Sequence, residues 1–483
     1  MLRIILIALF FLSLATASSA GWLIPVTSEG PREALSVVCL LEKCFYVADD
    51  EFDSQIRLLS PGNLPPKTEW MEDVVHKLYA LPNDKYINDQ WYLRNSTINW
   101  ASGWELIRNS TNSIAAEELP VVAVIDSGIW AHIDMEQARL YNGTYYGIDD
   151  DNNVKPITQG FGEDSDGHGT HVSGIIAATT NNSTGIASVS GGRVRLLSIK
   201  ASQVKNGEVI LNSSTIIAAL NFILEEIDKG VNIVAVNMSF GSYSSSPPEQ
   251  YPLYYGINEL KNRGVAVFAA AGNDGLNLSS NLSGNYPADL PLENVISVAW
   301  LDPNLRLATK SNFGSRTSIA APGERILSLY TESNDPKELP YAYASGTSMA
   351  SPFVAGTVAA ASYINPALKP ATLVCMLYET ADKAGNLLGR VYDERRINVG
   401  AFLNAVSTGD KKGCTDEFPQ KPKVDPSYII DDVILVDPPA GSGSGCAMSG
   451  QGNAWTELIL LTMSIIIFKI RRKNIIHDKT FTK

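Results

Sequence analysis

Val121-Val122-Ala123-Val124-Ile125-Asp126-Ser127-Gly128 is the stretch on which the reading of this chain turns. An apolar run this short, rich in β-branched residues and closed by turn residues, matches a strand covered on both faces. Similar runs lie from Val194 to Ile199, Ile233 to Val236, Val265 to Ala271 and Val295 to Ala299. Helical patterns fall between them, from His168 to Ala178, Ser213 to Gly230 and Leu253 to Arg263. Strand and helix in alternation predict an α/β fold, a doubly wound, mostly parallel sheet flanked by helices. Active groups in such sheets gather at the carboxyl ends of the strands, and Asp126 stands immediately after the first strong one.

Two more segments carry chemistry. Gly-His-Gly-Thr-His-Val-Ser-Gly (167 to 174) opens a helix with an imidazole, and Gly-Thr-Ser-Met-Ala-Ser-Pro (346 to 352) opens another with a hydroxyl. A serine hydroxyl is a weak nucleophile, so a neutral imidazole must take its proton as it attacks. A carboxylate on the other ring nitrogen then fixes the tautomer and stabilises the imidazolium. Asp126, His168 and Ser348 can fill these roles. Taken singly, an Asp after a strand reads as a cap, a His as structural and a Ser before a helix as an N-cap. His171, one turn from His168, is assigned the structural role. A helix beginning near Ser348 aims free N–H groups and a positive dipole end at developing negative charge.

These three blocks, in the order Asp, His, Ser, resemble the subtilases, the subtilisin-like serine proteases. The likeness covers roughly residues 83 to 406 and begins at Pro-Asn-Asp-Lys-Tyr-Ile-Asn-Asp-Gln-Trp-Tyr-Leu (82 to 93). It implies a serine endopeptidase with no organic cofactor. Within Ala-Ala-Ala-Gly-Asn-Asp (269 to 274), it implies that Asn273 donates to an oxyanion together with the Ser348 N–H. Asn-Met-Ser-Phe-Gly-Ser (237 to 242) resembles the family's substrate-binding strand, which points to Ser239, Phe240 and Gly241, with Gly272 facing them. Structural calcium is common in the family. The oxygen-rich residues Asp149, Asp151 and Asp164 are the candidates, although their spacing matches no defined calcium loop.

Two other classes fit poorly. A catalytically silent scaffold would be expected to lack one of these residues. An α/β-hydrolase esterase would carry Gly-x-Ser-x-Gly with Ser, acid and His in that order, whereas Ser348 sits in Gly-Thr-Ser-Met-Ala and comes last, after Asp126 and His168.

The remaining features set the compartment and the appendages. At 483 residues the chain has room for one large enzyme domain with small additions. The net charge of −13 argues against nucleic acid as a partner, leaving a protein or peptide substrate. Residues 1–20 read as a signal peptide, with Arg3, an apolar run from Ile4 to Leu14 and small residues between Ala15 and Ala20. Residues 21–82 form an N-terminal extension or propeptide, 83–408 the catalytic domain and 409–445 a Pro/Gly/Ser-rich linker. Gly-Ser-Gly-Ser-Gly (441–445) leads into residues 446–483, which hold Cys446, a short apolar run from Trp455 to Ile470 and then Arg471-Arg472-Lys473. This pattern resembles a bacterial C-terminal sorting signal, with Cys446 as a processing site, and a membrane anchor is the alternative. The expected product is an exported monomer at the cell envelope or outside it, attended by envelope sorting machinery. Of five cysteines at least one is unpaired; Cys39 with Cys44 and Cys375 with Cys414 are plausible pairs, and the sequence leaves connectivity open.

Overall fold

The computed structural model describes residues 81–421, apart from 113, 150, 158–163, 165, 206–207, 280–283 and 332–339, together with five short strands outside that range. The signal-peptide segment, Cys446 and the apolar tail lie outside the described residues. Among the described residues no helix is long and apolar enough to cross a membrane. The chain divides into two compact units, Met1–Tyr79 and Ala80–Lys483. In the first, strands Gly21–Pro25, Ser36–Leu40, Lys43–Ala48 and Met71–Asp73 make a small sheet, with Cys39 and Cys44 opposite one another in register.

The second unit is built on a ten-stranded sheet. Its strands are β1 (Val121–Asp126), β2 (Tyr145–Ile148), β3 (Val154–Ile157), β4 (Arg195–Lys200) and β5 (Ile233–Met238). They continue as β6 (Ala266–Ala270), β7 (Val295–Leu301), β8 (Ile319–Pro322), β9 (Asp382–Lys383) and β10 (Arg395–Arg396). The spatial order is β9-β10-β8-β7-β6-β5-β1-β4-β2-β3. Pairing is parallel except for β2 with β3 and β9 with β10 at the two edges. From β1 the chain builds outward through β4 on one side, then returns to lay β5 on the other. The strand order therefore reverses between β1 and β5, and their carboxyl ends open into a crevice.

Alternation along β1 shows why the sheet is sandwiched. Val122 and Val124 enter one apolar cluster, while Val121, Ala123 and Ile125 enter another on the opposite face. Three helices pack into the first cluster: α1 (Trp100–Asn109), α2 (His168–Ala177) and, further on, Thr347–Ile364. The second cluster takes α3 (Ser213–Asp228) and α4 (Tyr254–Asn262). The Thr347–Ile364 helix, α5, is buried on all sides from Thr347 to Tyr363, which its small residues permit. It is followed by α6 (Pro370–Glu379) and α7 (Val399–Thr408).

The packed body does not end at α7. Cys414 is disulfide-bonded to Cys375 on α6, and Lys421 is still hydrogen-bonded to the domain. Part of the stretch expected to be linker is therefore a fastened strap, because a cross-link and specific hydrogen bonds outweigh its loop-like composition.

Candidate active site

Asp126 is the last residue of β1, 3% exposed, and its Oδ1 accepts the Ser127 N–H. The same oxygen accepts from His168 Nδ1 at 2.7 Å. A carboxylate can only accept here, so the proton is assigned to Nδ1. His168 is the first residue of α2 and keeps 13% of its side chain exposed, enough to meet a bound molecule.

The helix start is held in place by its own anchor. Asp164 Oδ1 accepts from Ser127 Oγ (2.8 Å) and the Gly167 N–H (2.9 Å). Its Oδ2 takes both the N–H and the hydroxyl of Thr170. Ser127 Oγ in turn accepts the Gly169 N–H at 2.8 Å. A buried carboxylate thus satisfies the first-turn donors of α2 and pins that turn to the end of β1. Gly167 has φ +84°, and a Cβ there would lie 2.2 Å from the Tyr330 ring, so glycine is required beside His168.

Ser348 lies in the first turn of α5, where N–H groups have no intrahelical partner. Its hydroxyl donates to Ser239 O at 3.1 Å, just beyond the carboxyl end of β5. Ser239 Oγ donates back to Ser348 O at 2.9 Å. Asn273, beyond the end of β6, accepts from Thr347 N (2.9 Å) and Thr347 Oγ1 (3.0 Å) through Oδ1. With its oxygen so fixed, the Asn273 amide nitrogen is oriented by elimination. Gly272 donates its N–H to Thr347 Oγ1 at 3.1 Å. Its φ is +107°, and a Cβ there would come within 2.2 Å of Asn312 Nδ2.

A cleft of 390 Å³ runs from Asp126 and His168 along Ser239, Phe240 and Gly241 to Leu211, the last residue of the short strand Glu208–Leu211. Asp166 lines it too, and burial raises its carboxyl above the usual range. No sequence motif points to Asn285, which is 1% exposed and donates to Ala271 O at 2.8 Å. Its Oδ1 is buried with no hydrogen-bond partner among the described residues, and a Cβ on Gly241 would sit 2.5 Å from it. Only the long-range fold brings it there.

His171 behaves as a core histidine. Its Nε2 lies 3.0 Å from both Ile326 O and Ala342 O, and burial pushes its pKa down to about 4.

The structure gives the expected calcium candidates other hydrogen-bond partners. Asp149 closes the turn between β2 and β3, accepting from the Asp151 and Asn153 N–H groups and pairing with Lys155. Asp151 only extends that turn, and Asp164 spends both oxygens on α2. Among the described residues no cluster of three His, Cys, Asp or Glu side chains stands ready for a metal. A different pair fits a hard cation better. Asp84 and Asp134 are both buried and form no salt bridge among the described residues. Burial raises both carboxyls, Asp134 to about 7, and the charge of Asp84 raises Asp134 further. Asn182 steadies Asp134 by donating its Nδ2–H to Oδ1 at 2.8 Å. Two buried carboxylates lacking a positive partner are a donor set suited to calcium.

With this geometry in view, the comparisons with known proteins are specific. The subtilase family profile matches residues 118–400. An extracellular protease of Xanthomonas campestris is 33% identical over 367 residues, 70% of this chain and 59% of that protein's length. Thermitase of Thermoactinomyces vulgaris is 31% identical, over 66% of this chain and 97% of its own length. Among solved structures, a protease from Pseudoalteromonas arctica superposes with a TM-score of 0.53 at 23% identity, covering 68% of this chain and all of that one, a likeness of fold. The chain belongs to the subtilase family. Its class is that of the subtilisin-like serine endopeptidases.

Proposed function

We propose that this protein is an exported, monomeric endopeptidase that cleaves extended segments of other proteins through an acyl-enzyme on Ser348. The observation that carries the reading is the 2.7 Å bond between His168 Nδ1 and Asp126 Oδ1 at the carboxyl end of β1. With the proton held on Nδ1, Nε2 keeps a lone pair to accept the Ser348 hydroxyl proton, once that hydroxyl has turned from Ser239 O, as Oγ attacks the peptide carbonyl. Asp126 stabilises the resulting imidazolium. The oxyanion takes hydrogen bonds from the Asn273 amide and the Ser348 N–H, both preorganised at the start of α5. The imidazolium proton then goes to the leaving amine. Water, activated by the same Nε2, releases the acid and restores Ser348. Substrate backbone lies along Ser239, Phe240 and Gly241, with Gly272 opposite.

Calcium would be held by Asp84 and Asp134, with Asn182 beside them. It would supply positive charge to two buried carboxylates and staple the start of the domain to the loop after α2. Export rests on residues 1–20 and on the extracellular protease of Xanthomonas. Retention at the envelope rests on the tail sequence from Cys446 onward, read as a sorting signal.

The test is labelling of the exported protein with a fluorophosphonate. Wild type should be labelled and Ser348→Ala should not. Labelling of both would remove Ser348 as the nucleophile.

A further inference from the structure

Beyond α7 the strap is tied to the domain at three points. Cys414 is disulfide-bonded to Cys375, Asp416 accepts from Thr372 Oγ1 at 2.9 Å, and Lys421 reaches across to the loop after strand Gly284–Tyr286. There Lys421 Nζ donates to Ala288 O at 2.7 Å and to Leu290 O at 2.8 Å. An ammonium is strongly hydrated, and placing it on two carbonyls rather than in water needs a return. The charges around it are Asp289 and Glu293, which attract it, and Arg316, which repels it.

The two carbonyls belong to a closed turn. Asp289 Oδ2 accepts the Asn285 N–H at 2.9 Å, and Asp289 N donates to Asn285 O at 3.0 Å. Leu290 N donates to Pro287 O at 3.0 Å. Whatever fixes residues 288 to 290 therefore fixes Asn285. Its amide is wedged between the two segments assigned to substrate, with Gly241 against Oδ1 and Gly272 against Nδ2. Strand Gly284–Tyr286 also pairs with Ser242–Ser244, which continues directly from Gly241.

We propose that Lys421 is a positioning residue for substrate: by gripping the carbonyls of Ala288 and Leu290 it sets Asn285, and through it the recess between Gly241 and Gly272. The strap thereby becomes a working part of the peptidase rather than a tether to the tail. The inference rests on the assignment of those two segments to substrate.

The test uses the full chain. Lys421→Met should raise KM for a peptide anilide with a bulky side chain before the scissile bond by about tenfold, with kcat little changed. The rate of Ser348 labelling by diisopropyl fluorophosphate, which has no peptide portion, should stay within about twofold, because no preorganised catalytic group moves. Lys421→Arg, which keeps two donors, should restore most of the KM. An unchanged KM in Lys421→Met, or a labelling rate that falls in step with it, would overturn the proposal. Hydrogen exchange on the wild type gives a reading that no variant's folding can spoil. Amides of 285–292 should be protected as well as those of β7, and rapid exchange there would overturn the bracing. A wild type that diisopropyl fluorophosphate leaves unlabelled would instead defeat the peptidase reading itself.

Discussion

Ser239 and Ser348 hold each other by a reciprocal pair of hydrogen bonds, Ser348 Oγ to Ser239 O and Ser239 Oγ to Ser348 O. The second bond has a cause inside α5. Four residues after Ser348 stands Pro352, which has no N–H to offer the Ser348 carbonyl. A buried carbonyl without a partner is costly, and the Ser239 hydroxyl takes the place of the missing donor. Proline thus loosens the helix ladder at the nucleophile, and the neighbouring strand end takes hold of it.

Ser239→Ala should therefore destabilise the fold by about 1–3 kcal/mol in urea titrations, since it orphans that carbonyl. Adding Pro352→Ala should recover much of the loss by restoring the i, i+4 donor. A double variant no more stable than Ser239→Ala would refute this account.

Asp164 grips the first turn of α2 and Ser127 together, so it aligns His168 without touching substrate. Asp164→Asn should lower kcat by about tenfold or more with little change in KM, because a small misplacement of the imidazole suffices. Steady-state kinetics on a peptide anilide decide it. An effect confined to KM would assign Asp164 to binding instead.

Asn273→Ala removes one fixed donor from the oxyanion position. Turnover should drop by about 10²- to 10³-fold with KM nearly constant, the size typical of losing one such donor. A variant retaining full kcat would leave the oxyanion to other groups.

His171 ties fold stability to acid. Burial holds its folded pKa near 4, below the ordinary value of 6.5, so the neutral ring is favoured in the fold. That contribution is complete above pH 6.5 and is lost as pH falls toward 4, because the unfolded chain takes up its proton first. Its size is about 3 kcal/mol. Melting temperatures of His171→Asn should accordingly fall less steeply than wild type across this window.

Calcium should raise the melting temperature and a chelator should lower it. Calcium at a hundred times its dissociation constant adds about 2.7 kcal/mol. Asp134→Asn should abolish the response, whereas Asp149→Asn, altering only a surface turn, should preserve it. The opposite pattern would return the ion to the Asp149 loop.

What the sequence made legible was what lies in contiguous runs. β1 and β4 to β7 announce themselves because strands covered on both faces must be apolar throughout. Asp126, His168 and Ser348 sit in motifs whose neighbours have steric duties, as Gly167 does beside Tyr330. Other features depend on partners far along the chain. Asp164 looked like a metal ligand because nothing local reveals that Thr170 and Ser127 claim its oxygens. Asp84 and Asp134 are fifty positions apart and become a pair only after folding. β2 and β3 are only four residues long and are interrupted by Gly147 and Pro156, too short and broken to register as strands, and Lys421 stood in a stretch whose prolines read as linker.

The burial of α5 on every side has a consequence for how the enzyme comes into being. Strands β1 to β7 and helix α2 leave the ribosome with one apolar face waiting for a helix that has not yet been made. Any nascent chain stopping short of Thr347 lacks both the core of that face and the serine it carries. Hydrolytic power is therefore withheld throughout most of synthesis and arrives in a single late event. Because that event joins segments far apart in sequence, it is slow relative to local folding.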